Sequence, residues 1–111
     1  MAKMDLYNDI ALSYRGTSFV LVKKYSLKSY HLAREKHLLP KMIAPLTNLA
    51  IACVYTGNMD SAGILFNHIF RLADSAGDEE LRNKALLNLG NYYLNTNNYD
   101  LALENYQLVY P

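Results

Sequence analysis

The stretch NLGNYYLNTNNYDLALENY, Asn88 to Tyr106, carries two helical rhythms separated by Thr96-Asn97-Asn98. On both sides of that turn apolar residues recur at three- and four-residue spacings, which is helical rather than strand-like. The stretch is also a copy. Laying Ile43–Arg71 over Asn83–Pro111 pairs Leu46, Asn48, Leu49, Thr56, Asn58, Asp60 and Ala62 with Leu86, Asn88, Leu89, Thr96, Asn98, Asp100 and Ala102. These are seven identities in 29 positions, without a gap. A fixed period of forty residues falls in the range that marks a solenoid of repeated hairpins.

The first third is a weaker third copy. Tyr30, Leu32 and Ala33 lie forty residues before Phe70, Leu72 and Ala73. Tyr7, Ile10, Ala11 and Tyr14 match Leu46, Leu49, Ala50 and Cys53 at an offset of 39. That register predicts a turn at Gly16-Thr17-Ser18 one residue shorter than its partner at Thr56-Gly57-Asn58. Gly and Asn at these turns tolerate the left-handed conformation that ends a helix. Pro40 and Pro45 interrupt any run-on from the first hairpin, with Pro45 suited to the first turn of a new helix. Asp78 before Glu79-Glu80 reads as an N-cap with an acidic first turn. The expected helices span roughly 4–15, 19–37, 42–56, 60–75, 79–96 and 99–110. The fold class is all-α, three antiparallel helix hairpins in one domain over 1–111, with repeats at approximately 3–42, 43–82 and 83–111.

Composition narrows the function. At 111 residues the chain is one domain or less, and half its residues are apolar, enough for a small core. Its net charge of +1 and scattered charges give no electrostatic footprint for nucleic acid. The single cysteine, Cys53, forms no internal disulfide and fits a reducing compartment. No signal-peptide pattern or membrane-length apolar run appears. The expectation is a soluble, cytoplasmic protein with no membrane contact.

The third copy, through Leu86, Leu89, Gly90, Tyr93, Tyr99, Ala102 and Tyr106, resembles the tetratricopeptide repeat. The second copy offers Leu46, Leu49, Ala50, Cys53, Ala62 and Phe66, and the first Tyr7, Ile10, Ala11 and Tyr14. Small residues let helix backbones approach while large ones fill the space beside them. The departures are a period of forty rather than the usual 34, a first copy lacking the small-then-aromatic pair in its second helix, and no closing proline. The resemblance implies a right-handed α-solenoid whose first helices line a concave groove for a protein or peptide partner. Elongated repeats of a similar kind occur in peptide-sensing bacterial regulators and in cargo-binding adaptors.

By that resemblance the groove holds Asp5, Asn8, Leu12 and Arg15 in the first copy. The second gives Ala44, Thr47, Asn48 and Ile51, and the third Lys84, Leu87, Asn88 and Asn91. The binding candidates are Asn8, Arg15, Asn48, Ile51, Lys84, Asn88 and Asn91. An asparagine amide both donates and accepts, so it can pair with a peptide backbone without reading its side chains. Arg15 and Lys84 suit a carboxylate. Only Asn48 and Lys84 match the family's carboxylate clamp, so most of its positive charge is missing.

Other chemistry finds little footing. His31, His37 and His68 lack partners at metal-ligand spacing. Cys53 reads as buried filler, the isolated glycines as turn or packing residues, and the acidic residues as caps. Tyr7, Tyr14, Tyr93, Tyr99 and Tyr106 are expected in the core, while Tyr55 and Tyr92 have no evident place there. No catalytic, metal or cofactor set is expected. At the other end, Leu101, Leu108, Val109 and Tyr110 have no further repeat to pack on, and a solenoid end needs a cover. A fragment of a longer array, a homodimer through that end and a capping partner helix each satisfy this need. The leading expectation is a peptide-binding scaffold. The alternatives are the sensor part of a bacterial peptide-responsive regulator and an assembly or chaperone subunit.

Overall fold

The computed structural model describes residues 2–111 and places six helices in them: α1 (Lys3–Ser13), α2 (Phe19–Glu35), α3 (Leu39–Tyr55), α4 (Met59–Ser75), α5 (Glu79–Asn95) and α6 (Tyr99–Val109). Each helix packs on its neighbours in sequence, and α1 also touches α3. The result is a slab of 39 × 31 × 18 Å, about two helix layers thick at the usual interaxial distance of ~8–10 Å. This is the arrangement of a helical repeat. No helix is long and apolar enough to cross a membrane among the described residues.

The repeat is finer than the sequence alone suggests. From α2 onward each helix starts twenty residues after the last, at 19, 39, 59, 79 and 99. The middle residue of each three-residue connection has positive φ: His37 (54°), Gly57 (80°), Gly77 (69°) and Asn97 (64°). At three of them the same pair of bonds closes the helix. Asn58 N donates to Cys53 O (2.8 Å) and Gly57 N to Val54 O (3.1 Å). Asn98 N and Asn97 N repeat this onto Tyr93 O and Leu94 O, and Leu38 N and His37 N onto Ala33 O and Arg34 O. These bonds satisfy carbonyls that a helix end otherwise leaves orphaned. The copy reaches side chains too: Asn58 Nδ2 donates to Thr56 Oγ1 (2.9 Å) and Asn98 Nδ2 to Thr96 Oγ1 (3.0 Å).

The core follows the small-and-large pattern. Ile43, Leu46, Ala50 and Cys53 of α3 pack with Ala62, Phe66, Ile69 and Ala73 of α4 and Ala85 and Leu89 of α5. Gly63 lies beneath Tyr92, and a methyl there would come within 2.5 Å of the Tyr92 hydroxyl oxygen. Gly90 lies beneath Tyr106, where a methyl would be 2.9 Å from Cε1. At α2 the aromatic of the later copies is replaced by Ser26, buried one turn after Val22. Ser29 there donates to Met4 O of α1 at 2.6 Å.

Several expectations need correction. α3 starts at Leu39 rather than 42, so Pro40 sits in its first turn and Pro45 in its interior. Proline's missing N–H and ring clash usually cost ~3 kcal/mol in a helix interior; here Pro45 is fully buried, which offsets part of that. The α1–α2 connection, Tyr14–Ser18, is two residues longer than the others rather than one shorter than its partner. α1 ends in tighter i→i−3 bonds, Tyr14 N to Ala11 O and Arg15 N to Leu12 O. Tyr99 is 62% exposed rather than core, whereas Tyr7, Tyr14, Tyr93 and Tyr106 are half-buried. Tyr92 does have an inside place, and Tyr55 does not. Asp78 caps α5 as expected, accepting from Glu80 N (2.9 Å) and Leu81 N (3.2 Å).

His37 is the one bulky side chain held in the left-handed region at these turns, where a Cβ costs ~1–2 kcal/mol. His37→Gly is expected to raise stability by about 1 kcal/mol and Gly57→Ala to lower it by about as much. Urea unfolding followed by circular dichroism reads both; a loss of stability in His37→Gly would contradict the assigned turn.

Candidate functional site

The helices α1, α3 and α5 line a trough of about 300 Å³. Its apolar surface comes from Leu12, Pro40, Ile43, Ala44, Leu81 and Ala85, with Ile69 of α4 reaching in from behind. Asn8, Thr47, Asn48, Lys84 and Asn88 supply the polar groups. A smaller hollow of about 210 Å³ lies between α3 and α5, edged by Ile51, Val54, Tyr55, Asn88, Asn91 and Asn95. Asn88 borders both, so it sits where the two hollows meet.

The amides differ in what they have left to offer. Asn48 is only 6% exposed. Its Nδ2 donates to Asn8 Oδ1 (2.8 Å), and its Oδ1 accepts from Arg15 Nη1 (3.2 Å). Asn48 therefore ties α1 to α3 across the trough, and Arg15 is occupied in the same tie. Asn91 Oδ1 accepts from the Tyr106 hydroxyl. Asn88, half-buried, takes no part in these bonds; it lines both hollows, and its amide has no hydrogen-bond partner among the described residues. Asn48 and Asn91, the pair of asparagines that the sequence reading favours as ligand contacts, are thus both already engaged within the fold; their partners could not be read from the sequence, because the partners lie on other helices or at long separation.

The charges sit at the rims. Lys84 pairs with Glu80 one turn earlier (3.3 Å), with both side chains largely exposed; such pairs contribute ~0.3–0.5 kcal/mol at most, so Lys84 remains free to exchange partners. Lys41 pairs with Asp5 (3.0 Å) on the opposite rim.

Tyr92 was the residue without a place, and the structure gives it one. Its hydroxyl donates to Met59 O (3.1 Å), and its ring lies 5.8 Å from that of Phe66. Burial, with Asp60 and Tyr93 adding to it, pushes the phenol pKa up, so Tyr92 stays a donor at neutral pH. Cys53 is buried, and burial raises its thiol pKa against a smaller opposing effect of Lys23; it fills space as expected of its position. Among the described residues no three His, Cys, Asp or Glu side chains gather at metal-binding distance. On α6, Leu101 and Leu108 are exposed and Val109 is half-buried, and Tyr110, just past its end, is exposed.

No family model matches the chain, and no curated protein or solved structure is significantly similar to it. The helical repeat is therefore read from the internal copies and the packing.

Asn48→Ala would leave Asn8 and Arg15 without their shared partner, and a lost buried hydrogen bond typically costs ~1–3 kcal/mol. A stability loss of that size is expected for Asn48→Ala and almost none for Asn88→Ala. Denaturant unfolding of both variants checks the contrast, and equal losses would contradict it.

Proposed function

We propose that the chain is a non-enzymatic scaffold that binds a protein or peptide segment in the trough between α1, α3 and α5. In this reading it is a tetratricopeptide-like, right-handed solenoid of antiparallel hairpins, and the trough is its concave face. It works in the cytoplasm and performs no chemistry of its own.

The observation that carries the reading is the combination in one trough of an apolar lining and an unmatched amide. Ligand sites are typically concave, mostly apolar and furnished with a few placed polar groups. A volume near 300 Å³ suits one or two large apolar side chains of a peptide, with Asn88 pairing to the adjoining backbone. Lys84 adds a cation at the rim that favours an acidic residue or carboxylate beside them. The Asn8–Asn48–Arg15 tie holds the walls at a fixed separation, which lowers the ordering cost of binding.

A second reading, an assembly subunit, is favoured by the exposed apolar side chains of α6 and does not conflict with the first.

Panning a peptide library on the chain and measuring affinities of the selected peptides tests the proposal. Ala44 is exposed at the trough, so Ala44→Arg fills the space without disturbing the core and is expected to abolish binding. Asn88→Ala is expected to weaken it about fivefold, the worth of one ~1 kcal/mol hydrogen bond, with unchanged helicity. Peptides whose affinity ignores both substitutions would place the site elsewhere.

A further inference from the structure

Folding gathers charges that look scattered along the chain. Residues 1–41 hold eight Lys or Arg against three Asp or Glu, and residues 42–111 hold three against seven. The net charge of +1 therefore hides a basic first third beside an acidic remainder. The cations concentrate on α2. Its buried side is Val22, Ser26, Ser29 and Ala33, whereas Lys23, Lys24, Lys28, His31 and Arg34 are all exposed. Their helical spacing puts them along one face, a track of about 16 Å at 1.5 Å per residue. Among the described residues no carboxylate pairs with any of them, since the ion pairs use Lys41, Arg82 and Lys84. Aromatic rings hold the lysines in place instead. Lys24 Nζ lies 5.4 Å from the centre of the Tyr25 ring, and Lys28 Nζ 5.4 Å from that of Tyr7. Such contacts leave the ammonium charge intact. No α2 residue lines the trough or the smaller hollow beside it, so this face is separate from both.

The track ends at an open hollow of about 450 Å³ bordered by His31, Arg34, Glu35 and His37. Three of these carry flat, delocalised groups, two imidazoles and a guanidinium, of the kind on which nucleobases stack. His37 is there against the rule of the repeat. The equivalent turn positions hold Gly57, Gly77 and Asn97, and His37 alone keeps a ring at positive φ (54°). Strain retained at the edge of a hollow points to a use for the side chain displayed there. Glu35, the one acid in the hollow, offers acceptor oxygens to the exocyclic amine of a base such as cytosine.

A phosphate chain is the complement of such a track, and the hollow narrows its source. A lipid surface brings phosphates but nothing flat to enter the hollow, and a duplex keeps its bases stacked inside. A single strand brings both. We propose that the exposed face of α2 binds single-stranded nucleic acid, with Lys23, Lys24 and Lys28 tracking the phosphates while one unstacked base enters the hollow between His31, Arg34 and His37.

Fluorescence anisotropy of a labelled oligocytidylate titrated with the chain tests this. Binding is expected to weaken as salt rises, and a duplex of equal length or vesicles of anionic phospholipid are expected to bind about tenfold more weakly or worse. Replacing Lys24 and Lys28 together by Gln is expected to lower affinity about tenfold and to reduce the slope of log affinity against log salt by about 1.4, with circular dichroism unchanged. His37→Gly, which relieves the turn, is expected to weaken binding about fivefold or more, the worth of one stacked base. A purely structural role for His37 predicts no such loss in a variant that folds more stably. Glu35→Ala is expected to abolish a preference for oligocytidylate over oligouridylate. Ala44→Arg, in the trough, is expected to change nothing. Absence of binding would overturn the proposal, as would equal binding of duplex or vesicles, which points to a general basic surface. Affinity indifferent to the lysine or His37 substitutions, no cytosine preference to lose, or loss of binding in Ala44→Arg would overturn it as well.

Discussion

Close approach of neighbouring helices at residues with little or no side chain is the constraint on which the rest depends. Gly63 lets the Tyr92 ring lie on the α4 backbone, and Gly90 does the same for Tyr106 between α5 and α6. Ala11, Ala33, Ala50, Ala62 and Ala73 are all fully enclosed, so the principle extends to every helix before α5. Because each helix packs chiefly on its neighbours in sequence, stability is close to a sum of adjacent interfaces. A defect at one junction is then local in origin, with no distant core to absorb it.

The same packing sets the trough. Packing of each helix on its neighbours in sequence leaves α1, α3 and α5 lining one trough, and the part-buried Asn8–Asn48–Arg15 tie fixes the spacing of the first two. A buried amide with both ends satisfied, such as Asn48, specifies geometry, whereas the amide of Asn88 has no partner among the described residues and so keeps its donors and acceptor unused. The proposed roles of the two asparagines thus differ although they occupy equivalent positions of the repeat.

Much of the fold was legible because it is written twice. The Asn88–Tyr106 stretch and its copy located four helices to within a few residues, and the cap at Asp78 was correct in detail. The expected start of α3 falls three residues late because Pro40 and Pro45 read as breaks. Pro40 is harmless in a first turn, where the N–H it lacks would be unpaired, and Pro45 is held by burial. The place of Tyr92 was hidden for another reason: its partner Gly63 belongs to the preceding helix, and neither residue is identical in the copy. For the groove, sequence spacing put Asn8, Asn48, Lys84 and Asn88 on first helices, and all four border one trough. Which of them are already engaged depends on contacts across helices that spacing does not encode.

The most direct test of the central packing claim is a proton NMR measurement of close contacts in the intact chain. Nuclear Overhauser effects are predicted from the Tyr92 ring to the Gly63 α-protons and from the Tyr106 ring to those of Gly90. Their absence from a chain whose helices are otherwise formed would contradict the account, because the helices would then be packed in some other way.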